Sequence, residues 1–305
     1  MASMRDIQRR KVSVQSTGQI TKAMKLISTV KLQKAKERAE HSKAYFNGMY
    51  DTVSDILSKS GNINHRFLKQ TDGKKKAVIV ISSNRGLAGG YNSNMVKLIT
   101  TNPEFNTDNT VIYSVGRKAK EGLLRKGFEV KSDYSEVIEE PMYSDAMSIS
   151  SEILKAFEDG EIGEIYLAYT IFKNSVSQVP DMKKILPVSK LPEAKLREAA
   201  KLHEAAIEKS DEGNKMEDDK TPMNYEPGED EVLDVIIPKY VTSLIYGALV
   251  EAVASENGAR MSAMDSATSN AEEMIADLSL MYNRARQGSI TQELTEIIAG
   301  AEAIS

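Results

Sequence analysis

Cysteine is absent from all 305 residues, which excludes disulfides, thiol nucleophiles, thiolate metal sites and a dithiol redox switch. Histidine is nearly absent. The three present, His41, His65 and His203, lie far apart without paired spacing and form no metal-ligand motif, although spacing alone leaves open their meeting in space. Net charge of one sign is also lacking: 40 Lys+Arg against 44 Asp+Glu leave −4, so no global field marks a nucleic-acid binder. No uninterrupted run of about 18 apolar residues occurs, and the basic start of the chain leads into no apolar core of a secretory signal. An intracellular protein without a spanning helix is expected. At 41% hydrophobic and 28% charged the chain has enough apolar residues for a core, and its length suits two domains.

Proline is missing from residues 3 to 58, and only Gly18 and Gly48 interrupt the good helix formers there. Leu32, Ala35, Ala39, Ser42, Phe46, Met49, Val53 and Ile56 alternate steps of three and four, the period of a coiled-coil seam. Ile20, Met24 and Ile27 keep that step upstream, before Lys31 breaks it. About 55 residues at about 1.5 Å each predict a helix of roughly 80 Å. From about Lys239 a second helix is expected, with Pro238 in its first turn or at a kink. Its seam is Ala267, Ala271, Met274, Leu278, Met281 and Ala285, and past Gly288 a shifted apolar series resumes as Ile290, Leu294, Ile297, Ala301 and Ile304.

The texture between the two helices differs. Strand-like runs at 77–82, 111–115 and 164–169 alternate with helical stretches near 92–101, 117–126 and 144–158, which predicts a small parallel α/β sheet. Residues 176–187, with Pro180 inside, fit an edge strand. A short helix is expected at 193–209, and 211–231, with nine acids against two lysines, reads as an acidic loop. The expected division is therefore an N-terminal helix at 1–58, an α/β domain at 74–192, a charged connection at 193–231 and a C-terminal helix at 232–305.

Two heptad helices flanking an inserted domain most simply pair antiparallel, because each seam would otherwise face water. Placing Ile56 opposite about residue 235 brings Ser3 opposite about 288, leaving an apolar tail without an intramolecular partner. Such a tail implies a sleeve supplied by another protein. Residues 5–43 carry eleven Lys/Arg against three acids, and residues 239–305 carry nine acids against four bases. Pairing between the two helices accounts for part of this, and a basic face awaiting an acidic partner surface accounts for the rest.

The turn Ser82-Ser-Asn-Arg-Gly-Leu-Ala-Gly-Gly-Tyr-Asn92 has neither the G-x-G-x-x-G nor the P-loop spacing of a phosphate cradle. Tight backbone geometry is the better reason for its glycines. No triad or carboxylate pair is recognisable. A nucleotide-binding enzyme with helical arms, a free coiled-coil scaffold, and a nucleic-acid binder using the basic helix remain as alternatives.

Three strings go further. Gln19-Ile-Thr-Lys-Ala-Met-Lys-Leu26, Ser255-Glu-Asn-Gly-Ala-Arg-Met-Ser-Ala-Met-Asp-Ser-Ala-Thr-Ser-Asn270 and Tyr282-Asn-Arg-Ala-Arg-Gln-Gly-Ser-Ile-Thr-Gln-Glu-Leu-Thr-Glu-Ile297 closely resemble the gamma subunit of F-type (rotary) ATP synthases, over essentially the whole chain. Because the likeness starts at Ser3, a bacterial protein without a presequence is expected. The resemblance implies a non-catalytic central-stalk rotor: an antiparallel coiled coil inside a hexamer of three alpha and three beta subunits, with an α/β foot near the epsilon subunit and the membrane ring. It implies no cofactor, metal, nucleic acid or direct membrane insertion, and a peripheral location on the cytoplasmic face of the plasma membrane. By position, Met24, Lys25, Lys31, Arg260, Gln287, Thr291 and Glu293 would contact the hexamer. Ile290, Leu294, Ile297, Ile298, Ala301 and Ile304 would form the bearing tail, and Tyr225 and Glu226 the ring-side foot. The family's usual Ser-Asp-Arg-Gly-Leu-Cys-Gly is here Ser83-Asn-Arg-Gly-Leu-Ala-Gly89, which removes the acid and the thiol and keeps the glycine turn.

Overall fold

The computed structural model describes residues 3–59, 65–69, 75–188 and 228–302. The chain starts in α1 (Met4–Lys59) and ends in α5 (Glu229–Glu302). Between them run β1 (Lys75–Ile81), α2 (Tyr91–Thr100), β2 (Thr110–Val115), α3 (Arg117–Leu124), β3 (Glu129–Asp133), α4 (Tyr143–Glu158), β4 (Ile162–Phe172) and β5 (Gln178–Leu186). The chain divides into two compact units, one of residues 1–29 with 260–305 and one of residues 30–259.

In the second unit the strand order is β3-β2-β1-β4-β5, with β1 to β4 parallel and β5 antiparallel on the edge. The sheet is thus mixed and not purely parallel. Pro180 sits in β5, opposite Thr170, where a missing amide donor is tolerated on an edge. The apolar run Ala77-Val-Ile-Val-Ile81 is buried on both faces, as expected of a central parallel strand. Its odd positions, with Tyr113 and Val115 of β2, pack against Ile149, Ile153 and Phe157 of α4 and Leu233, Ile237, Val241 and Ile245 of α5. Val78 and Val80 face Met95 and Ile99 of α2 and Leu123 of α3. The sequence pattern missed β3, since Glu-Val-Lys-Ser-Asp alternates exposed charges with half-buried residues on an edge and has no apolar run.

Gly116 joins β2 to α3 at φ 107°, and a Cβ there would lie 2.1 Å from the Ser82 carbonyl oxygen. Only glycine fits that approach. α5 begins at Glu229 and not near Lys239, so the end of the expected acidic loop is helical and Pro238 lies inside the helix. Asp230 and Glu231 suit the positive end of the helix dipole. The expected short helix at 193–209 and the rest of the acidic loop lie outside the described residues. α5 also contains a stretch apolar enough by length and composition to cross a membrane, contrary to the expectation of no such helix, and half of that stretch is buried inside the protein.

In the first unit the two helices run antiparallel. Thr21 and Thr268 hydroxyls meet at 2.8 Å, Lys25 reaches Asp265, and a Cβ on Gly18 would lie 3.4 Å from the Ala271 Cβ. This register is within two residues of the one the sequence predicts. The seam, however, has a different phase. On α1 it comprises Ile7, Lys11, Val14, Gly18, Thr21, Lys25 and Ser28, while Ile20 and Ile27 are 58% and 59% exposed. On α5 it comprises Met264, Thr268, Ala271, Ile275, Leu278, Tyr282 and Ala285, with Met274 and Met281 turned outward. Both phases satisfy steps of three and four, and the helix opposite selects one. Close approach at Gly18, Ala271 and the threonine pair requires small residues inside, which leaves larger apolar ones on the outer surface.

Candidate functional site

Apart from Lys31, the expected contact residues fall in two bands of the first unit. In the lower band Met24 is half-buried beside the seam, and Arg260 is half-buried on α5. Lys25 donates to Asp265 Oδ1 at 2.5 Å, with both side chains substantially exposed. The Lys25 charge is therefore paired within the chain. Arg5, Arg9, Arg10 and Lys22 are exposed and form no ion pair among the described residues. Lys31, exposed on α1, belongs to the other unit.

The upper band lies 22 or more residues further along α5, about 33 Å at 1.5 Å per residue, so the structure does not gather all the expected contact residues into one patch. Gln287, Thr291 and Glu293 are exposed there, and the Thr291 hydroxyl donates to the Gln287 carbonyl at 2.9 Å. Ile290, Leu294, Ile297 and Ile298 are 49 to 67% exposed, and Ala301 is exposed too. Ile304, Tyr225 and Glu226 lie outside the described residues.

Sequence reasoning missed part of the outer apolar surface. Val12, Leu26, Val30 and Leu280 are exposed, and Met4, Val12 and Tyr282 line a shallow groove rimmed by Arg5, Arg9 and Gln8. Their outward position depends on the seam phase, so no local signal could have shown it.

The glycine-rich turn is occupied with itself. The Asn92 side-chain oxygen accepts from the Ser83 amide at 3.0 Å and from its hydroxyl at 2.9 Å, and Asn84 bridges the Ser135 carbonyl and the Arg117 amide. An open α/β sheet ordinarily offers a ligand crevice at its carboxyl edge, where the strand order reverses. Here β1 and β4 flank that point and α5 fills it. The Tyr91 hydroxyl donates to the Ala252 carbonyl at 3.2 Å, the Ser255 hydroxyl to the Thr170 carbonyl at 2.7 Å, and the Phe172 amide to Glu251 at 3.1 Å. A Cβ on Gly258 would come within 2.9 Å of the Phe172 ring. This arrangement docks a helix where an enzyme of this architecture would hold a nucleotide, and no local motif announces it, because the paired residues are 79 to 161 positions apart. No group of three or more His, Cys, Asp or Glu suited to a metal ion occurs among the described residues.

An antiparallel helix pair with an exposed apolar end in one unit, and in the other an α/β sheet whose crevice is filled, agree with the sequence match. The family model described as ATP synthase matches residues 3–304. The chain belongs to this family, among the gamma chains. It is 60% identical to the ATP synthase gamma chain of Lachnoclostridium phytofermentans over 305 residues, covering all of both chains. It is 41% identical to the sodium ion specific gamma chain of Acetobacterium woodii, covering 99% of each. Among solved structures, its fold resembles a chain of the Euglena gracilis mitochondrial ATP synthase, with a TM-score of 0.65 at 18% identity, covering 99% of this chain and 94% of that one. A chain of the Tetrahymena thermophila central stalk and c-ring structure matches with a TM-score of 0.55 at 22% identity, covering 81% of this chain and 99% of that one. Gamma chains belong to the membrane-associated part of ATP synthase, so peripheral membrane association follows for this one.

Proposed function

We propose that this chain is the central-stalk rotor of an ATP synthase, coupling ion-driven rotation of a membrane ring to conformational cycling of a hexamer of three alpha and three beta subunits. The observation that carries this reading is the end of α5. Past Gly288 it displays Ile290, Leu294, Ile297 and Ile298 to solvent in a chain related end to end to gamma chains. A contiguous apolar surface of this kind calls for a sleeve.

The chain itself makes no bond in the reaction. Turning an asymmetric shaft presents a different face to each beta subunit, and a state of beta is favoured only by its differential contact energy with that face. Moving a two-state subunit from 1:99 to 99:1 takes about 5.5 kcal/mol, which several modest contacts can supply together. Met24, Lys25 and Arg260 would supply them in the lower band, Lys31 further along α1, and Gln287, Thr291 and Glu293 in the upper band. Ile290, Leu294, Ile297, Ile298, Ala301 and Ile304 would act as a bearing, since apolar contacts are not directional and turn with few bonds to break. Residues 74–192 would form the foot beside the epsilon subunit, and Tyr225 and Glu226 would face the ring. The working place is the cytoplasmic face of a bacterial plasma membrane, with no insertion of this chain into the bilayer.

Native mass spectrometry of the chain co-expressed with the alpha and beta subunits of its own organism, with ATPase activity read on the same sample, tests this. One copy per three alpha and three beta, with activity depending on its presence, is the expected result. A chain that stays alone or pairs with itself overturns the proposal.

A further inference from the structure

The end of the β4–β5 hairpin reaches both long helices within the second unit. Phe172 and Gln178 are cross-strand partners on the last rung of this antiparallel pair. Both close on α5 at one point: a Cβ on Gly258 would lie 2.9 Å from the Phe172 ring and 3.4 Å from the Gln178 side-chain nitrogen. On α1, the Lys36 ammonium stands 5.1 Å from the centroid of the same phenyl ring. We propose that Phe172 is a torque key, a side chain wedged between Gly258 of α5 and Lys36 of α1 that makes the α/β domain and both helices turn together. The proposal rests on the rotor reading above and adds to it the point at which the domain grips the shaft.

The hydrogen bonds of Tyr91 with Ala252, Ser255 with Thr170 and the Phe172 amide with Glu251 tie α5 alone to the sheet edge. A helix pair held by one member lets the other slip against it under load. The Phe172 side chain meets both. It is a rigid group with few rotatable bonds, and at Gly258 it faces helix backbone, which cannot swing aside as a side chain can. Packed atoms compress little, so a twist of α5 meets the phenyl ring with little lost motion. The Lys36 cation is drawn electrostatically to the ring from the α1 side. An interior helical glycine is unfavourable relative to alanine, and the close approach of Phe172 accounts for one at 258.

The hairpin is braced behind the key. The Asn174 side-chain oxygen accepts from the Val176 and Ser177 amides, and the Asn174 amide donates to the Ser177 carbonyl. The Gln178 side-chain amide donates to the Asn174 carbonyl at 3.0 Å. The notch around Gly258 is thus held from both strands. Gly258 lies just before Arg260, where the first unit begins, and both helices continue into that unit without a break. A twist delivered at the notch passes on along continuous hydrogen-bonded helix.

ATP-driven rotation of this chain assembled with its alpha and beta subunits tests the key. A bead is attached through Lys126→Cys in the α/β domain, a unique label in a cysteine-free chain, and its angular fluctuation during pauses reports the stiffness between domain and shaft. With the hydrogen-bonded set and the phenyl ring as comparable restraints in parallel, Phe172→Ala should widen the angular variance about twofold, leaving the ATPase rate at saturating ATP unchanged. Phe172→Leu, which keeps bulk against Gly258, should recover most of the stiffness. Gly258→Ala should loosen the link when Phe172 is present and do no harm in a Phe172→Ala background, where helix propensity alone favours the alanine. Wild-type variance in Phe172→Ala, or a Gly258→Ala effect that is the same in both backgrounds, overturns the key alone. A wild-type complex that does not rotate overturns the rotor reading and the key with it. Should Phe172→Ala fail to fold, Lys36→Gln replaces it: a widened variance supports the key and an unchanged one refutes it.

Discussion

Replacing Leu278 and Met281 separately by alanine tests the seam phase in the first unit. Heptad spacing read from the sequence puts both on the seam, whereas in the structure Leu278 is 8% exposed and Met281 55%. Truncating a buried leucine costs about 2–5 kcal/mol, and a two-helix seam, whose cavity opens to water, belongs at the low end, about 2 kcal/mol. Met281 is an exposed helix position, where truncation costs within about 0.5 kcal/mol. Local opening read by amide exchange over residues 264–285 should therefore rise roughly 30-fold in Leu278→Ala and about twofold in Met281→Ala. Met274→Ala, at 47% exposed, should behave like Met281→Ala. Equal losses in Leu278→Ala and Met281→Ala would mean that α5 is rotated about its axis relative to the structure, and the account of the outer apolar surface would fall with it.

Four further outcomes are expected. Lys25→Glu with Lys31→Glu should lower coupled ATP synthesis in the assembled enzyme; because Lys25 also pairs with Asp265, full recovery on adding Asp265→Lys would assign the lysine an internal role instead. Deleting residues 298–305 should weaken assembly or torque, and full activity of that truncation in a single-molecule rotation assay would remove the bearing. Gly116→Ala should destabilise the sheet unit by at least about 2 kcal/mol, because it combines a positive φ with a backbone clash, and an unchanged urea midpoint would contradict the turn geometry. Tyr113→Phe should be neutral or stabilising by about 1 kcal/mol, since the buried Tyr113 hydroxyl has no hydrogen-bond partner of good geometry among the described residues. A clear loss in its thermal midpoint would reveal a partner for that hydroxyl.

Periodicity and specific strings carried much of this protein in its sequence alone. Long proline-free stretches with steps of three and four require two long helices, because only that spacing keeps apolar residues on one face. The apolar run of β1 bounded by a glycine turn requires a buried strand. The strings around Met24, Arg260 and Gln287 point to the gamma family without any coordinates. What the tertiary structure decided involves a second element in each case. Heptad spacing is a property of one helix, but the choice between Met274 and Ile275 or between Met281 and Tyr282 depends on what lies opposite. Lys25 reads as a free charge until Asp265, 240 residues away, is placed beside it. β3 has too few apolar residues to declare itself, and it exists because β2 offers an open edge. The filled crevice comes from docking α5 on the ends of β1 and β4. Contacts across such separations follow from how the chain closes on itself, and local spacing carries no record of them.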